Sequence, residues 1–362
     1  MRGKVWLVGG GPGDPELLTV KGRRILEEAD VVVYDRLIGS GILRCAPLGA
    51  ELIDVGKNGG CHPVPQEEIE KILIEKALEN KRVVRLKGGD PFLFGRGGEE
   101  MSTLMSRGIP CEPVPGVTSA IAVPAWAGIP VTHRDYASSI HIVTAHRRDG
   151  APIDYDALAP LKGTLVFLMG ASALRDICEG LIAAGMDKNT PAAAIQRGTT
   201  ARQKQVIGVL ADLPERAAQS KGIHAPAVMV VGQVVALSET LNWRAALPLA
   251  GRRVLVPRPE SHLPQKGGSG GRSGRLAALL RARGAEVVEV SPSRMENIDL
   301  PLPPLGGYLW LVFTSGTGVE CFFQRLRADQ RDIREIGTAK IAAIGSMTRN
   351  AIEERGLRVD LV

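Results

Sequence analysis

The sequence predicts an α/β protein built from more than one domain, and three observations lead to this prediction. Short runs of β-branched residues alternate with amphipathic stretches, which favours β–α–β units. The length of 362 residues exceeds the usual size of one domain. Two turn-rich segments, at 113–116 and 247–251, interrupt the alternation. We therefore expect domains over residues 1–114 and 115–243, a linker over 244–251 and a further α/β region over 252–362.

The first predicted domain alternates strands and helices from its first residues. Ile69, Ile72 and Leu73 follow the spacing that is typical of an amphipathic helix. Because strands that alternate with helices pair in parallel through crossover connections, we expect a parallel sheet covered by helices. The predicted strands cover residues 4–8, 30–34 and 82–86, and the predicted helices cover residues 18–28, 66–79 and 99–107.

The same alternation predicts parallel α/β units in the second domain and in the C-terminal region. Turn residues precede Thr118 and Ser119, either of which can cap a helix of small residues. A glycine- and serine-rich stretch at 267–274 predicts a flexible segment, and the C-terminal strands are expected to form one small sheet. The second-domain strands are predicted at 140–144, 165–169, 192–195, 203–209 and 227–231, with a helix at 173–184, and the C-terminal strands at 253–256, 286–290, 308–313 and 340–344.

The composition excludes some classes of protein and leaves others open. The net charge is +6, but the basic residues are dispersed and aromatic residues make up only 4%. This composition argues against nucleic-acid binding and is compatible with a small polyanionic substrate. No apolar run reaches the ~18 residues of a membrane-spanning helix. Because the N-terminus also lacks a signal-peptide pattern, we expect a cytoplasmic protein that binds no membrane.

The cysteines predict neither disulfides nor a metal site. They form no CxxC pair, and the histidines form no HExxH motif. Cys61 is followed directly by His62, yet neighbouring side chains point apart on most backbones, so we interpret the two as loop residues. We therefore expect no bound metal. The cysteines are at positions 45, 61, 111, 178 and 321.

A glycine-rich turn, GGGPGDP at residues 9–15, follows the first predicted strand. A dinucleotide-binding loop is one interpretation, because Asp35 closes the next strand at about the distance of the acid that binds ribose. However, Asp14 stands where that motif needs its third glycine, and Pro12 removes an amide that would bind a pyrophosphate. From the loop alone, an NAD site, a site for another nucleoside and a structural turn all stay open. S-adenosylmethionine, which has adenosine but no phosphate, suits the loop better than NAD.

Five spaced segments carry a resemblance to a known family. The first two resemble the opening segments of the tetrapyrrole methylase superfamily. The other three are similar to segments of the uroporphyrinogen-III C-methyltransferases in particular, including VVRLKGGDPFLFGRGGEE. The resemblance extends from residue 4 to about residue 243 without a gap. The segments are residues 8–19, 29–37, 55–57 with 65–69, 83–100 and 128–137.

The resemblance implies the tetrapyrrole methylase fold, in which a ligand cleft lies between two α/β domains. It implies that S-adenosylmethionine donates two methyl groups to uroporphyrinogen III, giving precorrin-2 for sirohaem or cobalamin synthesis. It also implies a homodimer, for which the sequence itself shows no interface stripe. Carried over position by position, the implied donor-binding residues are Pro12, Gly88, Gly89, Asp90, Leu93, Thr118, Ser119, Met169, Gly198 and Ala227.

The resemblance also assigns catalytic roles: Asp35 matches the proton acceptor of the family and Lys57 its proton donor. Alkylation of a pyrrole carbon leaves a proton that a base beside the ring must remove. Arg36, Arg96 and Arg134 flank the motifs, and guanidinium groups pair well with the carboxylates of an octacarboxylate substrate. We expect these three arginines to bind substrate, with surface ion pairing as the alternative.

Residues 252–362 resemble the first part of a uroporphyrinogen-III synthase. The segments that carry this resemblance are 253–259, 313–323 and 341–345 with Thr348. Members of that family continue for a comparable length, so the resemblance implies an incomplete synthase with one wall of its active-site cleft. We expect the region to be inactive as a synthase and dispensable for methyl transfer.

Overall fold

The described part of the chain covers nearly all of the predicted elements. Lys57, the Cys61–His62 pair and residues 267–273 of the glycine-rich stretch lie outside it. Within it, no helix is long and apolar enough to cross a membrane. The computed structural model describes residues 3–56, 64–145, 151–220, 222–257, 260–261, 274–290, 294–295 and 302–362.

The chain divides into two compact units. The first unit comprises Met1–Val256 with Gly270–Val288, and the second comprises Pro257–Ser269 with Glu289–Val362. The first unit contains two five-stranded sheets with their helices. The α/β fold class predicted from the sequence is confirmed, with an additional α/β region at the C-terminus.

The first sheet has five strands, all paired in parallel as the sequence predicts. In chain order its elements are β1 Lys4–Gly9, α1 Val20–Leu26, β2 Val31–Tyr34, α2 Ser40–Leu43, β3 Glu51–Asp54, α3 Gln66–Leu78, β4 Arg82–Lys87, α4 Gly97–Ser106 and β5 Cys111–Val114. The strand order is β3-β2-β4-β1-β5. The carboxyl ends of β1, β2, β4 and β5 therefore share one edge, which is where parallel sheets bind ligands.

The two edge strands of this sheet are not predicted from the sequence. β3 is mostly exposed, so its residues lack the apolar run that marks a buried strand. β5 contains Pro113, which the sequence analysis interprets as part of a turn. A proline is tolerated in an edge strand because the missing N–H need not donate to a neighbouring strand.

The second sheet is mixed. In chain order its elements are α5 Ser119–Trp126, β6 Ile140–Thr144, α6 Tyr155–Leu158, β7 Thr164–Leu168, α7 Leu174–Ala183, β8 Pro191–Gln196, β9 Lys204–Val209, α8 Leu213–Gln219 and β10 Ala227–Val231. The strand order is β6-β7-β10-β8-β9. β6 pairs in parallel with β7, whereas the three other pairings are antiparallel.

The expectation of parallel pairing throughout is therefore wrong for this second sheet. Residues 197–203 join β8 to β9 without a helix. A connection this short favours an antiparallel hairpin, since a parallel crossover needs about a dozen residues or more. β10 then enters between β7 and β8 and runs against both, a direction that its apolar sequence does not reveal.

Buried apolar side chains cover both faces of the first sheet. Val8 and Leu86 pack on the face that α1 and α2 cover. Leu7 and Val83 pack on the opposite face against Leu73 of α3. The side chains of the strands pack in these two cores along the length of each strand. The residues available to bind a ligand therefore lie where the strands end.

The C-terminal region does not form the single four-stranded sheet that the sequence predicts. Its described strands form three separate pairs, β11 with β13, β12 with β14 and β15 with β16. Within the second unit, Phe313, Val319 and Ile341 are buried in one small core. The elements are β11 Arg253–Pro257, β12 Glu260–Ser261, α9 Arg275–Ala282, β13 Glu286–Val290, β14 Arg294–Met295, β15 Trp310–Phe313, α10 Gly316–Ala328, β16 Lys340–Ala343 and α11 Ser346–Glu353.

The strands predicted as one sheet are divided between the two units. The β11–β13 pair packs with α9 around Ala277, Ala285 and Val287, within the first unit. The β15–β16 pair belongs to the second unit and is parallel. The sequence pattern identifies these strands but does not report which of them are neighbours.

Candidate functional site

The carboxyl ends of β1, β4 and β5 meet through three glycines. A Cβ atom on Gly116 would lie 2.2 Å from the carbonyl oxygen of Gly89 and 2.6 Å from the Cα of Gly9. A Cβ atom on Gly9 would lie 2.5 Å from the Cα of Gly116. Side chains cannot approach backbone this closely, so only glycine fits at these two positions. The three backbones together form the floor of a site at the edge of the sheet.

Hydrogen bonds hold the glycine loop after β1 against the loop after β4. The Gly10 N–H donates to the carbonyl of Lys87 at 2.7 Å, and Gly11 and Gly89 exchange hydrogen bonds of 3.2 and 2.8 Å. Gly89 has a φ of +68°, in the left-handed region that favours glycine. Among the described residues, the nearest atom to a Cβ atom on Gly89 would be the backbone nitrogen of Ser119, at 4.0 Å. This side of the loop is therefore open to a ligand.

Asp90 joins two of these loops. Its Oδ2 accepts a hydrogen bond of 2.9 Å from the Gly116 N–H, and its Oδ1 accepts one of 2.8 Å from the Phe92 N–H. The sequence leaves open whether Asp90 binds ribose or stabilises a turn, and the structure shows the turn contact. Carboxylate oxygens accept more than one hydrogen bond, so ribose binding by Asp90 stays a prediction.

Asp35 directly follows β2 and lies beside the same loop. Its Oδ2 accepts a hydrogen bond of 3.2 Å from the Gly88 N–H, and its Oδ1 accepts one of 3.0 Å from the Leu37 N–H. These two backbone donors hold the half-buried carboxylate in one orientation. The predicted proton acceptor and the predicted donor-binding residue Gly88 are therefore in direct contact.

Gly56, the last described residue before the predicted proton donor, lies at the same edge. Lys57 itself lies outside the described residues. Gly56, which precedes it, packs against Arg36, because a Cβ atom on Gly56 would lie 2.7 Å from the Cβ of Arg36. Gly56, the residue before Lys57, therefore lies next to Arg36, the residue after Asp35.

Thr118 and Ser119 form the start of α5. The Thr118 hydroxyl accepts a hydrogen bond of 3.2 Å from the Ala120 N–H, which confirms the predicted helix cap. Ala120 and Val123 of the same helix are buried in the core of the second sheet. The helix therefore begins at the edge of the first sheet and packs against the second.

Three predicted donor-binding residues share one edge of the second sheet. Met169 directly follows β7, Ala227 opens β10, and Gly198 lies just after β8; the strand register places these positions side by side. A methionine at a strand end is more often buried in the core. Here Met169 is 46% exposed and has a φ of +60°. A strained backbone with an exposed apolar side chain is typical of functional sites.

The two sheet edges face each other across the glycine loop. The Asp14 N–H donates to Oγ1 of Thr199 at 3.2 Å. A Cβ atom on Gly13 would lie 3.6 Å from the carbonyl oxygen of Gly198. From the opposite direction, Leu93 of the loop after β4 packs against the core of the second sheet. The structure thus brings the predicted donor-binding residues onto two adjoining edges.

The polar residues that support this junction are not predicted from the sequence. Oε1 of Gln203 accepts hydrogen bonds from the Thr199 N–H at 3.0 Å and from Arg244 Nη1 at 2.9 Å. Burial raises the pKa of Asp14, while the Glu16 N–H and nearby arginines, Arg244 among them, oppose that shift. No sequence motif marks these residues, because they come together only through tertiary packing.

The three predicted substrate-binding arginines lie in three different loops. Arg36 follows Asp35 and is exposed. Arg96 precedes α4 in a left-handed conformation and forms a salt bridge of 2.7 Å with Glu99. Arg134 is exposed in a turn that hydrogen bonds between His133 and Ala137 close. Arg96 thus forms a surface ion pair, the alternative to substrate binding. Substrate binding by the three arginines stays a prediction.

A buried group of charged residues underlies the floor of the site and was also missed. Arg85 and Lys87 of β4 both contact Glu100 of α4. Burial and the neighbouring Arg85 lower the pKa of Lys87. The signal was present in the sequence, since charged residues are unusual inside a strand of a parallel sheet.

Metal ligands do not cluster in the described part of the chain. No three histidine, cysteine, aspartate or glutamate side chains there are placed to hold an ion. The polar groups at the site are instead backbone amides, two carboxylates and arginines, which suit an organic ligand with polar and anionic parts.

These features define a class: an α/β protein whose ligand site lies between the carboxyl edge of a parallel sheet and the facing edge of a mixed sheet. Residues 4–214 match the tetrapyrrole (corrin/porphyrin) methylases. Because this match covers more than half of the chain, the protein belongs to the tetrapyrrole methylase family. Residues 274–362 match uroporphyrinogen-III synthase HemD. The resemblances stated for the two regions are both confirmed.

One curated relative matches nearly the whole chain, and others match about two thirds of it. A porphyrin biosynthesis protein HemD from Ruminiclostridium josui is 45% identical over 99% of this chain and 71% of its own length. A siroheme synthase from Salmonella typhi is 52% identical over 67% of this chain. The chain spans 52% of the length of that synthase, so the two proteins share only part of their architecture.

Solved structures of methyltransferases match the first two thirds of the chain. The uroporphyrin-III C-methyltransferase from Thermus thermophilus, in complex with S-adenosylhomocysteine, is 40% identical with a TM-score of 0.56, covering 65% of this chain and all of that one. The cobalt precorrin-4 methyltransferase CbiF is 31% identical with a TM-score of 0.58, covering 64% of this chain and 95% of its own.

Proposed function

We propose that the protein transfers methyl groups from S-adenosylmethionine to two carbons of uroporphyrinogen III, giving precorrin-2. The observation that carries this proposal is the contact of Asp35 with the Gly88 N–H, which sets a carboxylate beside the open loop at Gly89. The similarity to the Thermus thermophilus enzyme supports both the donor and the substrate. Pro12 and Asp14 in the glycine loop argue against NAD as the ligand.

S-adenosylmethionine, when bound, supplies an electrophilic methyl group on a sulfonium. Gly88 and Gly89, with Met169 on the facing edge, would hold the donor, and Asp90 would reach its ribose. Asp35 would accept the proton that the ring carbon loses after alkylation, held in place by its two backbone donors. Lys57 would return a proton. Arg36, Arg96 and Arg134 would bind the substrate carboxylates.

The sequence-derived organisation belongs to the same proposal: methylase domains over 1–114 and 115–243, a linker over 244–251 and a synthase-like domain over 252–362. We also propose a homodimer, by analogy with the family. The synthase-like domain is proposed to be inactive in ring closure.

The test is incubation of the purified protein with uroporphyrinogen III and methyl-labelled S-adenosylmethionine. We expect two labelled methyl groups per product, both on carbon. A parallel thermal-shift measurement should show stabilisation by S-adenosylhomocysteine and none by NAD. If the product carries no label on carbon and NAD stabilises the protein, the proposal is overturned in favour of an oxidoreductase.

A further inference from the structure

The loop after β8 holds two non-glycine residues in the left-handed backbone conformation. Arg197 has a φ of +48° and Thr199 a φ of +65°. This conformation is unusual for a β-branched residue such as threonine, and it persists only where surrounding contacts impose it. Gly198, which is predicted to bind the methyl donor, lies between these two residues. The contacts that hold Thr199 therefore also fix the backbone of a predicted donor-binding residue.

Gln203 holds the backbone of Thr199. Its Oε1 accepts a hydrogen bond of 3.0 Å from the Thr199 N–H and one of 2.9 Å from Arg244 Nη1. Its Nε2 donates to the carbonyl of Trp126, the last residue of α5, at 3.4 Å. The Gln203 side chain is thus held from two other segments while it binds the loop.

The side chain of Thr199 reaches the glycine loop after β1. Thr199 is 6% exposed, and its Oγ1 accepts a hydrogen bond of 3.2 Å from the Asp14 N–H. A Cβ atom on Gly13 would lie 3.3 Å from the same oxygen, so the two loops are in close contact here. Asp14 lies two residues after Pro12, which is also predicted to bind the donor. One hydroxyl therefore joins the loop of Pro12 to the loop of Gly198.

These two loops belong to different sheets. Pro12 follows β1 of the first sheet, and Gly198 follows β8 of the second. A ligand that contacts both residues requires them at a fixed separation. Ordering loops at the moment of binding costs free energy, so a site that is already ordered binds its ligand more tightly. The hydrogen bond between Thr199 and Asp14 supplies this order before any ligand is bound.

We propose that Thr199 and Gln203 are positioning residues for the methyl donor. Gln203 fixes the backbone of Thr199, and the Thr199 hydroxyl joins the glycine loop to the loop after β8. Neither residue exchanges a proton or touches the sulfur–carbon bond that breaks. This inference rests on the proposed function, because that function assigns both loops to the donor.

The first experiment compares Thr199→Val, which replaces the hydroxyl by a methyl group of similar size, with Thr199→Ser, which keeps the hydroxyl. Because the Asp14 N–H loses its acceptor, we expect Thr199→Val to bind S-adenosylhomocysteine about tenfold more weakly in calorimetry. The KM for S-adenosylmethionine should rise with it, whereas kcat at saturating donor should change by about threefold or less. Thr199→Ser should keep the affinity of the unmodified protein.

The matched control is Thr164→Val, the same substitution at the first residue of β7. Thr164 is 0% exposed, and its Oγ1 makes no hydrogen bond within the described residues. Its donor affinity should equal that of the unmodified protein. If Thr199→Val binds S-adenosylhomocysteine as tightly as Thr164→Val does, the inference is overturned and Thr199 has only a structural role. Should Thr199→Val not fold, Thr199→Gly, which adopts the left-handed backbone without strain, carries the same expectation.

A second pair of variants tests the role of Gln203. Gln203→Met removes the acceptor of the Thr199 N–H, and Gln203→Glu keeps one. We expect weaker binding of S-adenosylhomocysteine in the first variant and restored binding in the second. Because both residues act through one contact, adding Gln203→Met to Thr199→Val should weaken binding by about twofold or less. Losses that multiply in the double variant would overturn the role of Gln203.

Hydrogen exchange in the protein without ligand separates this inference from the proposed function. The Asp14 amide should exchange faster in Thr199→Val, and at the rate of the unmodified protein in Thr199→Ser and Thr164→Val. If the protein shows this pattern but binds no S-adenosylhomocysteine, the proposed function fails and the contact between the loops stands. If it binds S-adenosylhomocysteine but the Asp14 amide exchanges equally in all variants, the inference fails and the proposed function stands.

Discussion

The two facing edges of the candidate site differ in chemistry. The edge of the parallel sheet presents the carboxylates of Asp35 and Asp90, each held by backbone N–H groups. The edge of the mixed sheet presents Met169, Gly198 and Ala227, which offer an apolar surface and backbone groups but no charge. In the proposed function the first edge would serve proton transfer, and the second would fit the shape of the methyl donor.

This difference follows from what the proposed reaction requires. Proton removal needs a base in a fixed position, and the proposal assigns that role to Asp35 at the end of β2. The positive charge of a sulfonium disperses as its methyl group is transferred, so a weakly hydrated wall on the other side favours the transfer. The largest effects on turnover should therefore come from the first edge, and effects on donor affinity from the second.

The largest effect is expected from Asp35→Ala. We expect kcat to fall by about 10²-fold or more, because the base is lost. Asp35→Asn keeps an oxygen that can accept from the Leu37 N–H, so it separates loss of charge from loss of loop contacts. Steady-state assays and S-adenosylhomocysteine binding should show lost turnover with retained binding in Asp35→Asn. Full turnover in both variants would remove Asp35 from the mechanism.

Gly116→Ala tests whether the first edge also depends on shape. The new Cβ would lie 2.2 Å from the Gly89 carbonyl oxygen, so the loop must shift. We expect a loss of about 1–3 kcal/mol in the free energy of unfolding, as in other overpacked sites. Donor binding should weaken as well.

The matched control is Gly98→Ala, where a Cβ would meet no atom of the described residues within 4 Å. Denaturant unfolding should show that variant to be as stable as the unmodified protein or more so, since alanine favours a helix. Equal stability of the two variants would show that the three-glycine floor tolerates a side chain.

Met169→Ala tests the second edge. Removing an exposed apolar side chain should weaken S-adenosylhomocysteine binding by about tenfold, the equivalent of ~1.4 kcal/mol, with little effect on folding. Met105→Ala, which removes a methionine that is 58% exposed on α4, is the control. Calorimetric affinities that are equal in the two variants would contradict a ligand contact at Met169.

The smallest effect is expected from the C-terminal region. Among the described residues, Oε2 of Glu286 accepts from the Ala201 N–H at 2.8 Å, and Arg281 lies 4.0 Å from Glu16. A hydrogen bond and an ion pair of this kind each contribute about 1 kcal/mol. A chain that ends after Ala250 should keep methyl transfer within about threefold.

A shorter chain and a synthase assay test the role of the C-terminal region further. A chain that ends at Trp243 also loses Arg244 and its contact with Gln203, so it should be less active than the longer one. The full chain should form no uroporphyrinogen III from hydroxymethylbilane above the spontaneous mixture. An excess of the type III isomer would show that the synthase-like region works after all.

The sequence predicts most of the first sheet but only part of the second. Parallel pairing of β1, β2 and β4 follows from their alternation with helices. β5 is not predicted, because Pro113 indicates a turn rather than a strand. In the second sheet the strands are found but their direction is not, because β10 reads as the same apolar run in either orientation. Strand direction depends on which neighbours are available, and a local pattern carries no information on that.

The sequence by itself determined the α/β class, the family and the residues to consider at the site, because spaced motifs such as 83–100 can be recognised without knowing the fold. Only the tertiary structure decided how those residues are used. It showed that Asp90 ties the Gly116 loop in place, that Asp35 is held by Gly88, and that Lys87 and Glu100 meet beneath them. These relations join residues that are distant in sequence, so they exist only once packing has brought their strand ends together.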